Sequence, residues 1–427
     1  MNHSLSRVLN EGYEQNKICI AHAYKCFIKD KNGNVYIDTA LGAGTHLLGY
    51  SPKIVVDAIR QQANKGTLYI LPNAHTYELA RLLSTVLSGS QSFVFCNTGS
   101  EATMRAVRIA RAFSGKKKIG IFSGGWHGGH DVVLFDDDHR SNENEPRPIR
   151  KSAGIPDGIK DMVVMLPYNH DAAFDLIRKH RDELAVVMIE PAQGSNPRDD
   201  VKGFLSKLRK ITSACGVLLC FDEIISGFRI GLGGCREYYG IKADLTTYGK
   251  ALGGGLPIGM IAGKKKIMQV IKGDSLGQPV FMGGTFSANP LVMCVAKKLL
   301  SYLIKNKKKV YPYLDGQGKY LRRSINGFCV QRNFSVRVMG IGSMSRLIFT
   351  DKPVYSRRDR DKHEKSQKFQ NKFYTHMLLK EKVHVNNNRI IYLSTAHSRK
   401  DIQHIIDSIK HTLSYFSSEL TSRSPEL

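Results

Sequence analysis

Lys250 and Asp222 are the side chains of this sequence best placed to do chemistry. Each closes a short apolar run. Residues 217–221 lead into Asp222-Glu223, and residues 244–248 lead through Gly249 to Lys250, with Gly253-Gly254-Gly255 behind it. Such runs read as buried strands. Open α/β sheets bind ligands at the carboxyl ends of their strands, so acid and amine are expected to face one ligand. A lysine amine among glycines and apolar groups gives up its proton more readily and becomes a nucleophile. A nucleophilic amine, a buried carboxylate and a glycine-lined approach suit Schiff-base chemistry on pyridoxal phosphate. There the lysine holds the aldehyde and the carboxylate keeps the ring nitrogen protonated.

A phosphate needs its own seat. Residues 93–115 read as a short strand, a tight Asn97-Thr98-Gly99-Ser100 turn and a helix. Thr98 and Glu101 have capping-box spacing. Gly99 lets an anion approach the backbone, Ser100 adds a hydroxyl, and a helix N-terminus favours negative charge. Alone, this would be an ordinary capped helix; beside Lys250 and Asp222 it becomes a candidate phosphate cup.

These stretches carry a resemblance. FDEIISGFR followed by DLTTYGKALGGGLPIG resembles the class-III pyridoxal-phosphate aminotransferases, and within them the glutamate-1-semialdehyde 2,1-aminomutase branch. The resemblance covers roughly residues 18–415. It implies a fold-type-I α/β architecture, with a mainly parallel sheet in a large domain and a smaller α+β domain built from both termini. The boundaries it implies are 1–45 for the N-terminal part of the small domain, 46–304 for the large domain and 305–427 for the C-terminal part. It assigns Lys250 to the cofactor aldehyde, Asp222 to the ring nitrogen, and Thr98, Gly99 and Ser100 to the phosphate. Trp126 stands where the family stacks an aromatic on the ring, and Ile224 is expected on the opposite face. Thr285 is expected to reach the phosphate of a second copy, which implies a homodimer.

The sequence also departs from that branch. No Gly-Gly-Val-Asn-Ser-Pro-type run precedes Ile18. Ser195 replaces an asparagine expected near the cofactor. Asn386-Asn387-Asn388-Arg389 stands where the branch has a Ser-Gln-Phe-Glu-Ala run, and Leu393–His397 matches the closing strand. Arg389 fits either a carboxylate-binding guanidinium or a surface turn residue. Residues 132–155 occupy the position of the branch's gating loop but carry Asp136, Asp137, Asp138, Arg140, Glu143, Glu145, Arg147 and Arg150. They read as a solvated, mobile loop over a wide mouth, because burying so many unpaired charges over a small ligand is costly. His127, His130 and Asp131 have no standard metal spacing, and no metal is expected. His46 reads as a structural histidine.

The remaining elements frame these sites. Residues 18–38 alternate around Lys31-Asn32-Gly33-Asn34 as a hairpin. Helices are expected at 52–64, 76–87, 171–180, 204–215, 291–304, from about 305 at the start of the small domain, and at 369–381. A buried strand is expected at 185–189, further strands near 336–347, and a charged linker over 355–368.

A chain of 427 residues with 42% hydrophobic content can bury a large core in more than one domain. No apolar run is long enough for a bilayer span. The first residues lack a signal-peptide core, and eight scattered cysteines suit a reducing cytoplasm. The net charge of +26 attracts anions in general, but no nucleic-acid motif accompanies it.

The expected activity is amino transfer between an amine or amino acid and a carbonyl substrate, with an anionic or carrier-linked substrate favoured by the charge. The alternative is intramolecular transfer converting glutamate-1-semialdehyde to 5-aminolevulinate.

Overall fold

The computed structural model describes residues 18–273 and 277–421. The N-terminal stretch read as lacking a signal-peptide core lies outside them. A seven-stranded sheet forms the centre. Its strands run in the order Ser92–Cys96, Gly259–Gly263, Leu245–Gly249, Leu218–Glu223, Leu184–Ile189, Lys118–Phe122, Val163–Leu166. Only Gly259–Gly263 runs against its neighbours. All six residues of Leu184–Ile189 are buried. That continuous apolar run is what a parallel strand covered on both faces requires.

Leu218–Glu223 and Leu245–Gly249 lie side by side in parallel register, with Asp222 opposite Thr247. The acid and the lysine therefore leave the same edge of the sheet. Gly259 permits a close approach nearby: a Cβ there would stand 2.1 Å from the Thr98 carbonyl oxygen. This brings the turn before helix Gly99–Ser114 against the sheet.

The smaller layers come from both ends of the chain. Strands Phe27–Asp30 and Val35–Asp38 form the expected hairpin. Asp30 fixes its turn, accepting from the backbone N–H groups of Asn32 and Asn34. Val383–His384 adds to Val35–Asp38 in parallel. A separate three-stranded antiparallel sheet joins Arg337–Ile341, Met344–Ile348 and Ile390–Tyr392.

Four local readings change. The helix expected at 291–304 runs unbroken over Pro290–Gln331, with Pro312 inside it. The linker at 355–368 contains helix Arg357–His363, begun by a capping box of Ser356 and Asp359. The closing strand is Ile390–Tyr392, and Leu393–His397 follows it outside any strand. The loop read as solvated contains a hairpin, Phe135–Asp137 against Pro148–Arg150. Six of its eight charges are paired: Asp136 with Lys151 and Arg357, Asp137 with Arg358, Asp138 with Arg140, Glu145 with Lys179, Arg150 with Asp157. The solvated reading holds for most of 139–150, which is exposed, while Asp137 is buried on its cation.

No helix among the described residues is long and apolar enough to cross a membrane.

Candidate active site

A cavity of about 420 Å³ opens at the carboxyl edge of the sheet. Lys250, Asp222, Ile224, Trp126, Thr98, Gly99 and Ser100 all line it. Seven of the eight residues singled out from the sequence thus share one wall. Thr285 does not line it; it lies on an exposed segment of its own chain.

Lys250 follows the strand directly and has a positive φ of 39°. A non-glycine residue held there is strained, and such strain is kept where surrounding structure over-determines the backbone. Its amine makes no hydrogen bond among the described residues. Burial lowers its pKa to about 8, helped by the Arg229 guanidinium and opposed by the Glu190 and Asp222 carboxylates. The amine is therefore much closer to its neutral, nucleophilic form at neutral pH than a surface lysine is.

Asp222 is buried, 3% exposed. One carboxylate oxygen accepts from the Ile224 N–H at 3.1 Å and the Thr247 hydroxyl at 3.0 Å. The other accepts from His127 Nδ1 at 2.8 Å. A carboxylate offers about four acceptor positions. Three are occupied, which leaves one for a protonated ring nitrogen.

The anion end is built by the helix N-terminus. Thr98 caps helix Gly99–Ser114, its hydroxyl accepting from the Glu101 N–H at 3.1 Å. The first helical N–H groups, those of Gly99 and Ser100, have no intrahelical partner and are available to an anion. The Ser100 hydroxyl is steadied by the Gly129 N–H at 3.1 Å. Gly99 is needed for space, since a Cβ there would meet Ile224 Cγ2 at 3.0 Å.

Acid, amine and anion seat line one cavity with an aromatic and an isoleucine. The residues present fit pyridoxal phosphate.

Two residues matter here that the sequence reading did not place. His127, considered only as a metal candidate, is buried against Asp222 and lines the cavity. Glu190 is also buried in the wall. It accepts from the Trp126 N–H at 2.9 Å and the Gly194 N–H at 3.1 Å, and burial raises its pKa. The neighbouring Trp126 and His127 stand out in the sequence, but their partners Glu190 and Asp222 lie far along the chain. No group of three or more His, Cys, Asp or Glu side chains able to hold a metal occurs among the described residues.

Other readings fall away from the cavity. Ser195 donates to the Gly124 carbonyl at 2.7 Å. Arg389 is buried in the smaller layers, donating to the side-chain oxygens of Gln367, Gln370 and Asn371. It is a packing residue rather than a surface turn or a cavity cation.

Comparisons with known proteins agree with this geometry. The sequence matches the class-III aminotransferase family over residues 8–413. It is 35% identical over 390 residues to a glutamate-1-semialdehyde 2,1-aminomutase of Methanobrevibacter smithii, covering 90% of this chain and 89% of that one. A protein of the same name from Persephonella marina is 37% identical over 382 residues, covering 88% and 87%. Among solved structures, an omega-transaminase from Sphaerobacter thermophilus superposes with a TM-score of 0.86 at 28% identity, covering 94% of this chain and 92% of that one.

Proposed function

The chain belongs to the class-III pyridoxal-phosphate-dependent aminotransferases, enzymes of amino-group transfer, and from that premise we propose that it is a glutamate-1-semialdehyde 2,1-aminomutase. The observation that carries this reading is the shared name of relatives 35% and 37% identical over nearly the whole chain.

Pyridoxal phosphate, when bound, supplies an aldehyde that captures amines and a ring that draws electrons from the neighbouring carbon. The chain's residues do the rest. Thr98, Gly99 and Ser100 bind the phosphate. Asp222 keeps the ring nitrogen protonated, and His127 keeps Asp222 oriented. Trp126 and Ile224 hold the two faces of the ring. Lys250 would hold the aldehyde at rest, and its amine would take and return the proton at the substrate carbon that carries nitrogen. Thr285, exposed and outside its own cavity, serves the phosphate of a second copy in a homodimer.

A second reading is intermolecular transamination, favoured by the omega-transaminase likeness. The test separates them. The amino-loaded enzyme is given glutamate-1-semialdehyde, and 5-aminolevulinate is followed without added donor or acceptor. Repeated turnover supports the aminomutase. One equivalent of the diaminated compound, with the enzyme left in its aldehyde form until an amino donor is added, establishes the transaminase.

A further inference from the structure

The cavity wall is short of positive charge. Asp222 and Glu190 line it, and Lys250 is its only lysine or arginine. A substrate with a free carboxylate needs a cation near the mouth, because burying that carboxylate unpaired is costly. Arg389 is taken up by three side-chain oxygens. Arg229 is fully buried on the Gly44 and Leu393 carbonyls.

Lys151 has no such commitment. Its ammonium stands 5.8 Å from the centroid of the Trp126 ring, and Trp126 is a wall residue left 55% exposed. Its contacts are long: 3.3 Å to Asp136 and 3.5 Å to the Gly125 carbonyl. Well-made charged hydrogen bonds run about 2.7–2.9 Å. An ammonium has three donors, so at least one is unused. Asp136 is also met by Arg357 at 3.4 Å, so it keeps a cation when Lys151 turns away.

We propose that Lys151 recognises the free carboxylate of the substrate, with Asp136 parking the ammonium until substrate arrives. This rests on the carboxylate substrate class of the reading above, but not on whether the amine returns to the same molecule.

The test follows cofactor absorbance when holoenzyme meets an amine bearing a free carboxylate, or the methyl ester of that amine. Wild type is compared with Lys151→Gln, Lys151→Arg and Asp136→Asn. Lys151→Gln raises the half-saturating concentration of the acid by about tenfold or more, the loss of one charged hydrogen bond, and leaves the ester within roughly twofold. Lys151→Arg restores the acid, and Asp136→Asn does not weaken it. A binding readout stands beside turnover: unreactive glutarate perturbs the fluorescence of Trp126, the only tryptophan, at lower concentration in wild type than in Lys151→Gln. Equal weakening of acid and ester, or an Asp136→Asn enzyme that copies Lys151→Gln, makes Lys151 a brace of the hairpin and overturns the proposal. Wild type that prefers the ester overturns the carboxylate substrate class along with it. Wild type that prefers the acid through Lys151 but does not turn over glutamate-1-semialdehyde repeatedly without an added donor overturns the aminomutase reading and supports Lys151.

Discussion

His127 Nδ1 and Asp222 Oδ2 lie 2.8 Å apart in a buried pocket, joining a Trp-His-Gly turn to the end of a central strand. A histidine that donates through Nδ1 fixes the carboxylate's orientation and leaves one of its acceptor positions open. Asp222→Asn is expected to keep the cofactor and lose turnover by about 10²–10³-fold, since an amide cannot hold the ring proton. His127→Leu leaves the acid in place, and its expected loss is roughly tenfold, one charge-assisted hydrogen bond. Steady-state rates with cofactor occupancy measured alongside check both. A His127→Leu enzyme slower than Asp222→Asn contradicts a purely orienting histidine.

Lys250 sets a pH dependence. Burial depresses its pKa to about 8, so the neutral amine that captures the aldehyde grows as pH rises through 8 rather than through the usual lysine range. The rate at which cofactor-free protein captures pyridoxal phosphate is expected to climb from pH 6 and level off above about 8. An inflection above pH 10 contradicts the buried site. Borohydride reduction of the loaded enzyme fixes the cofactor on Lys250, and Lys250→Ala loses that adduct. Mass mapping of the adduct to another lysine removes the assignment.

These two residues were legible because their cues are local. A strand that ends in charge, or a Thr-Gly-Ser turn before a helix, announces itself within a few positions. Long-range partners leave no such mark. His127 meets Asp222 across 95 positions, and Trp126 meets Glu190 across 64. Asp136 and Asp137 read as solvated because their cations Arg357 and Arg358 lie far along the chain. Those arginines in turn read as linker, since their helix is short and charged. The helix from Pro290 divides at 304 in the sequence because the small domain is expected to begin there with a helix of its own, whereas the two are one helix, Pro290–Gln331. Val310, Leu314, Leu321 and Ile325 are buried along its continuation.

Gly128 tests the phosphate seat. Its φ is 104°, and a Cβ would stand 2.6 Å from the Ser100 hydroxyl and 2.8 Å from the Ser100 Cα. Gly128→Ala is expected to displace Ser100, weaken cofactor retention and cost about 1–3 kcal/mol of stability. Thermal melts with and without cofactor measure both effects. A lower melt with unchanged cofactor affinity removes Ser100 from the phosphate site.

Thr285 tests assembly. If a second copy uses it, the active species is a dimer and Thr285→Val releases cofactor more readily while the dimer persists. Sedimentation with cofactor absorbance follows both. A loaded, active monomer contradicts the arrangement.

The hairpin of residues 135–150 is fastened by Arg358. Its guanidinium meets Asp137 at 3.2 Å and donates to the His139 carbonyl at 2.8 Å and the Ser141 carbonyl at 2.5 Å. Asp137 is buried, and its only other side-chain partner is the Ser123 hydroxyl at 3.1 Å. Burial already raises the Asp137 pKa, with Arg358 as the largest opposing influence. Arg358→Ala leaves that acid without its cation, a change that costs roughly 3 kcal/mol when a buried pair is broken. The cost is expected to appear as local opening rather than unfolding, with new protease cleavage between 138 and 147. If this hairpin covers the site during turnover, its opening lets the intermediate escape, and the variant is expected to stall after part of a turnover and to recover when an amino donor is added. Wild-type resistance to protease together with uninterrupted turnover in Arg358→Ala shows that the hairpin does not close the site.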